Sequence, residues 1–241
     1  YKKDIITIEN VGTGTIDISG GTFNANPVTS QENKCIILLS TSTGDIQISG
    51  GTFNFNIGSQ YRVYRVIEIN NENTELKPKV TITGDTTINT VPHVRPLEIN
   101  NVNLEISGGT INAVSGSIIQ NSTALITGGT VIGELSFSNS TLNVKDTPIL
   151  DKVTVSTNSI ARIESGTFNG SFTNSSNTEI VGGEFYSGIT NNGTMTIKNA
   201  LINTEGYNNA ITTGQNSKLD LLENITITSN YSRTIYANYG I

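Results

Sequence analysis

The sequence predicts an all-β chain coiled into a parallel solenoid, and three observations predict it. A seven-residue phrase, Ile-Ser-Gly-Gly-Thr-Phe-Asn, fills 18–24 and 48–54 and returns as Ile-Ser-Gly-Gly-Thr-Ile-Asn at 106–112, with looser copies at 126–131, 163–169 and 180–185. Apolar and polar residues alternate before each glycine pair, the period-two signature of a strand with one buried face. No stretch holds a 3.6-residue period, and β-branched residues dominate, which suits strands rather than helices. Units this short cannot bury an apolar face alone, so they must stack.

The last apolar residue before each glycine corner serves as a ruler. It falls on Ile18, Ile48, Ile82, Ile106, Ile126, Val144, Ile163, Ile180, Ile197 and Leu221, giving about ten turns at spacings of 17 to 34 residues. Two positions upstream runs a second inward column: Ile16, Ile46, Val80, Leu104, Ala124, Leu142, Ala161, Thr178, Met195 and Leu219. The mostly polar residues between them, from Asp17 to Asp220, face outward. Glycine adopts positive φ without steric cost, so the pair ends this strand in a tight corner.

After the corner, the middle residue of Thr22-Phe23-Asn24 and its echoes starts a third inward column: Phe23, Phe53, Ile111, Val131, Ile149, Phe168, Phe185 and Ile202. A further apolar stretch closes the early turns at Cys35–Leu39, Val66–Ile69, Leu97–Ile99 and Ile118–Ile119. Three short strands per turn then describe the coil. Polar insertions such as Asn71–Lys79 leave the ruler intact, so they bulge from corners. Asn24, Asn54, Asn112 and Asn169 are placed to stack their amides along the axis. Parallel crossovers are overwhelmingly right-handed, and turns of such uneven length tell against a strict left-handed coil. The fold class is thus a single-stranded right-handed parallel β-helix, one domain over 1–241.

These stacked Ile-Ser-Gly-Gly-Thr-Phe-Asn turns resemble the pectin-lyase-like right-handed β-helix repeats of large bacterial surface proteins, often called adhesin-like. The likeness spans nearly the whole chain and rests on structural residues. It implies an extracellular or cell-surface location and a role in holding a glycan or a partner protein. The same frame carries lyases, hydrolases, esterases and binding rods, so it does not by itself select an activity.

Composition narrows the classes. Charged residues make up 14%, the net charge is −6 and tryptophan is absent. A charge-poor acidic surface lacks the clustered Lys and Arg that nucleic acid demands. The longest apolar run, Cys35–Leu39, is far too short to span a bilayer. The chain starts at Tyr1 without Met and is read as a segment of a longer surface protein with neighbouring domains. The single cysteine, Cys35, sits in an apolar run and is read as a small buried hydrophobe. Seven Asn-X-Ser/Thr sequons, the first at Asn121, are expected in a chain this rich in those residues.

No catalytic constellation is legible. Outward charges Asp17, Glu105, Glu179 and Asp220 are separated by neutral residues or whole turns, and Glu179 is expected to pair with Arg162 one turn away. A lone histidine without adjacent cysteine makes no zinc site, and no cofactor or metal is expected. The candidate ligand site comes from 61–70 and 91–100, which align Arg65 with Arg95 and Glu68 with Glu98. Tyr61, Arg62, Tyr64 and His93 would lie close by. Aromatic faces with guanidinium forks suit an acidic sugar. The plainer alternative is a solvated face where Arg and Glu pair diagonally and Tyr covers apolar surface. Two other readings stand behind these. A polysaccharide lyase or glycoside hydrolase would use the same groove, and the Thr22/Thr52/Thr110/Thr167 line resembles an ice-binding array, although Glu184 and Leu201 interrupt it.

Overall fold

The computed structural model describes residues 6–9, 12–25, 35–40, 44–56, 64–72, 75–230 and 232–237. Among the described residues every regular element is a strand, and the strands join in one sheet through parallel pairings. They stack as a β-solenoid of about eight turns. Strands Ile16–Ala25 and Ile46–Phe55 extend the same ladders on the N-terminal side. Among the described residues no helix is long and apolar enough to cross a membrane.

Register follows the ruler rung by rung. Ile18 pairs with Ile48, Ile48 with Ile82, Ile82 with Ile106, and the series continues through Ile126, Val144, Ile163, Ile180 and Ile197 to Leu221. Ile48, Ile82, Ile126, Val144, Ile163, Ile180 and Ile197 have no exposed surface. Each such side chain contributes roughly 1.5–3 kcal/mol of burial. Aromatic rings stack the same way. Phe23 and Phe53 lie 4.7 Å apart and Phe168 and Phe185 4.4 Å apart, both near-parallel at 7°, and Phe172 meets the latter two edge-on.

At one rung the third column holds a different residue from the one the sequence predicts. Leu150, not Ile149, pairs with Val131 and Phe168 and is buried, whereas Ile149 is 41% exposed. The corner from Val144 to Leu150 is one residue longer than the corner from Ile126 to Val131, and an offset of one residue exchanges the two faces of a strand. The column also includes Ile88, which pairs with Phe53 and Ile111. Its corner reads Gly84-Asp85-Thr86 where the repeat has two glycines, and buried Thr86 donates to the carbonyls of Ile48 and Thr83. Cys35 begins strand Cys35–Ser40, and its side chain lies outside the described residues.

Each corner solves its own polar bookkeeping. At Gly128-Gly129 a Cβ on Gly128 would meet the Ser107 carbonyl of the turn below at 2.6 Å, and Gly129 sits at φ 81°. Corners into the ruler strand use Asn-Ser instead. Asn121, Asn139 and Asn158 adopt left-handed φ of 51°, 47° and 59°, which Asn tolerates better than most residues. The following serines form a chain: the N–H groups of Ser122, Ser140 and Ser159 donate to the hydroxyls of Ser140, Ser159 and Ser176 in turn, at 3.1–3.2 Å. The sequons at Asn121 and Asn139 are therefore corner residues. Buried Asn174 donates to Asn191 Oδ1 at 2.8 Å and accepts from Ser176 N–H and the Thr178 hydroxyl. The outer amide stack runs through Asn24, Asn54, Asn89 and Asn112, each bond 2.8 Å long, and stops at Ile132; Asn169 is not in it.

Ile106, 1% exposed between Ile82 and Ile126, tests the inward assignment. Ile106→Asp buries an unpaired charge and removes a stacked side chain, so it is expected to cost on the order of 4 kcal/mol or more. Chemical denaturation followed by circular dichroism would measure it; a midpoint equal to wild type would place Ile106 on the surface.

Candidate functional site

The aligned strands Tyr64–Asn70 and Val94–Asn100 pair in parallel with Arg65 beside Arg95 and Glu68 beside Glu98. The alternation is broken once in each strand, where Val66 and Ile67, and likewise Pro96 and Leu97, are both buried, and this leaves Arg65, Glu68, Arg95 and Glu98 all facing outward. Tyr64 points inward, where it is 2% exposed and its ring lies 5.2 Å from that of Phe55. Tyr64 is thus a core residue and contributes no ring to the lateral face. Tyr61 and Arg62 lie outside the described residues.

The two guanidinium groups converge on one carboxylate. Arg65 donates through Nε and Nη2 to Glu98 Oε2 and Oε1 at 2.9 and 3.0 Å, and Arg95 Nη1 donates to Glu98 Oε2 at 2.7 Å. Glu68 adds a longer contact to Arg65 at 3.7 Å. The diagonal Arg–Glu pairing is therefore present. Burial opposes ionisation of Glu98, but the hydrogen bonds and charges of Arg65 and Arg95 outweigh it and hold the carboxyl below its ordinary range.

Arg95 also reaches a cleft of about 370 Å³ whose lining includes His93, Ser115, Gly116, Glu134 and Ser136. The cleft has a simple origin. Pairing of Ser117 with Leu135 sets Gly116 beside Glu134, and Glu134 pairs with Lys152 one turn further on. Gly116 has no side chain to fill its place in this outward column, which leaves a notch between Arg95 and Glu134. A Cβ there would stand 3.0 Å from that of Glu134. At the rim, exposed His93 holds φ at 68° and its N–H donates to Ser115 Oγ at 2.8 Å. Pro92 precedes this left-handed residue, the arrangement that type II turns favour.

Glu134 accepts from Lys152 Nζ at 3.0 Å and from the Thr154 hydroxyl at 2.7 Å. Burial again opposes ionisation, and the bonds from Thr154 and Lys152 outweigh it, so this carboxyl also lies below the usual range. Glu98 and Glu134 are consequently acceptors at neutral pH, poorly suited to donate a proton to a leaving group. With one hydrogen bond to Glu98, Arg95 keeps further donors for the cleft. Elsewhere, Arg162 bonds to both Glu164 and Glu179. The threonine line keeps register through Thr22, Thr52, Thr87, Thr110 and Thr130, then breaks at Ile149, Glu184 and Leu201.

No family model, curated protein or solved structure matches this chain. The class that its own geometry defines is a parallel β-solenoid. Ser115, Gly116, Glu134 and Ser136 are the residues that sequence reasoning missed, because Gly116 marks a notch only once the register of its neighbours is known.

The Glu98 cluster predicts an acid-labile increment of stability. A carboxyl with a depressed folded-state pKa stabilises above its unfolded value, about 4.3 for glutamate, and loses that contribution as pH falls through the folded value. Glu98→Gln is expected to melt lower than wild type at pH 7, with the gap closing as pH drops below about 4. Thermal melts from pH 7 to pH 2.5 would test this; a gap independent of pH would contradict the paired carboxylate.

Proposed function

We propose that this chain is an extracellular or cell-surface interaction module of the adhesin-like kind its repeats resemble, holding a glycan in the cleft between Arg95 and Glu134. The observation that carries the reading is the juxtaposition, around Gly116, of guanidinium donors, a carboxylate acceptor and the hydroxyls of Ser115 and Ser136. Such mixed donors and acceptors match sugar hydroxyls. The local charge is balanced: Arg65 and Arg95 face Glu68 and Glu98, and Lys152 faces Glu134. This supports a hydroxyl-bearing ligand over a strongly anionic one. A rigid sheet face supports the cleft, which keeps the ordering cost of binding low.

A glycan array comparing wild type with an Arg95→Ala, Glu134→Ala double variant tests the reading. Wild type is expected to retain one or more glycans, and the variant to lose at least about tenfold in affinity for them, which corresponds to about 1.4 kcal/mol. Equal signal from both proteins would remove the cleft as the site, and a blank array for wild type would remove the glycan reading.

A further inference from the structure

The Gly116 notch is not unique. Beyond Glu134 and Lys152 the same outward position is held by Ser171, whose carbonyl accepts from Val153 N–H, and then by Gly188, whose carbonyl accepts from Phe172 N–H. At Gly188 a second cleft opens, of about 410 Å³. Four rungs separate the two glycines, about 19 Å at the usual strand spacing, so a single sugar ring cannot touch both.

The second cleft differs in chemistry. Its lining includes Ser171, Thr190, Asn209 and Thr212, and among the described residues no Asp, Glu, Lys, Arg or His contributes to it. Its wall is Tyr207, 89% exposed and the most exposed large hydrophobic residue of the described chain. Tyr207 thus presents its ring to solvent beside the cleft. The loop that carries it is pinned on both sides. Asn208 O accepts from the hydroxyls of Thr204 and Ser229, at 3.4 and 3.3 Å. Asn209 Oδ1 accepts from the Ser232 hydroxyl at 2.6 Å and from Arg233 N–H at 3.2 Å, while its Nδ2 donates to Thr212 Oγ1 at 3.3 Å. A Cβ at Gly188 would approach Asn209 O to 2.6 Å, so the glycine lets the loop settle against the sheet.

We infer that the Tyr207 cleft is a second, separate binding site, for an uncharged saccharide whose ring stacks on Tyr207 while its hydroxyls meet Thr190, Asn209 and Thr212. An aromatic face covers the apolar C–H side of a pyranose, and neutral hydroxyl and amide groups satisfy its polar edge without an unpaired charge.

Calorimetric titration with xylohexaose, mannohexaose and cellohexaose, and with a galacturonic acid hexamer as the acidic comparison, tests this. At least one neutral hexamer is expected to bind more tightly than the acidic one. Tyr207→Ala is expected to weaken that binding about tenfold or more, and Tyr207→Phe to retain it within about threefold, because the ring face carries the contact. The Arg95→Ala, Glu134→Ala double variant is expected to bind that hexamer as wild type does, which separates this site from the cleft at Gly116. Absence of binding by every neutral hexamer, or binding that Tyr207→Ala leaves unchanged, would overturn the inference. Equal loss in the Tyr207 and Arg95/Glu134 variants would overturn the claim of two sites.

Discussion

One constraint governs this molecule: every turn must bring its backbone back into register with the turn below. A single turn exposes an entire row of amides and one side of each inward side chain. Only the neighbouring turn satisfies both. The inward columns can therefore drift in size, from Ala124 to Leu142 to Met195, but cannot drift in position. The corners serve the same requirement by three different means. Gly-Gly lets backbones approach closely, left-handed Asn reverses the chain, and the Ser122–Ser176 relay turns orphan corner N–H groups into contacts between turns.

Variation is left to the outward positions and to the corners on either side of the third strand of each turn, where insertions lengthen the chain without disturbing the ladder. His93 and Tyr207 both sit at the corner that precedes the third strand. The clefts at Gly116 and Gly188 form where a glycine interrupts an outward column whose neighbours bear side chains. The ion pairs of the same face, such as Arg65–Glu98 and Lys152–Glu134, fix side chains that would otherwise sweep across those notches. Surface pairs add little stability on their own, and their contribution here is placement.

The frame was legible because it repeats. Ile18 through Leu221 could be aligned by eye, and all ten ruler positions proved to be paired neighbours. Reading failed where the repeat lost its punctuation. At Ile88 and at Leu150 the corner after the ruler residue is one residue longer than its neighbours, so the inward residue Ile88 went unread and Ile149 was taken for Leu150. Of the residues singled out for a ligand, Arg65 and Arg95 came together as aligned, but their partner Glu98 consumes much of their capacity. Tyr64 faced the core because an aromatic residue beside an arginine says nothing of which face is which. The clefts at Gly116 and Gly188 depend on side chains from separate turns, so one-dimensional reading had no signal for them.

The spacing of outward positions tests the shared register most directly. Spin labels at Thr81 and Asn143, and at Thr81 and Thr196, in a Cys35→Ala background, span three and six rungs of one ladder. Pulsed dipolar measurement is expected to give narrow distributions whose mean separations differ by about 14 Å, three times the strand spacing. Two means that failed to differ, or broad distributions without a common increment, would contradict a coil held in register along one axis.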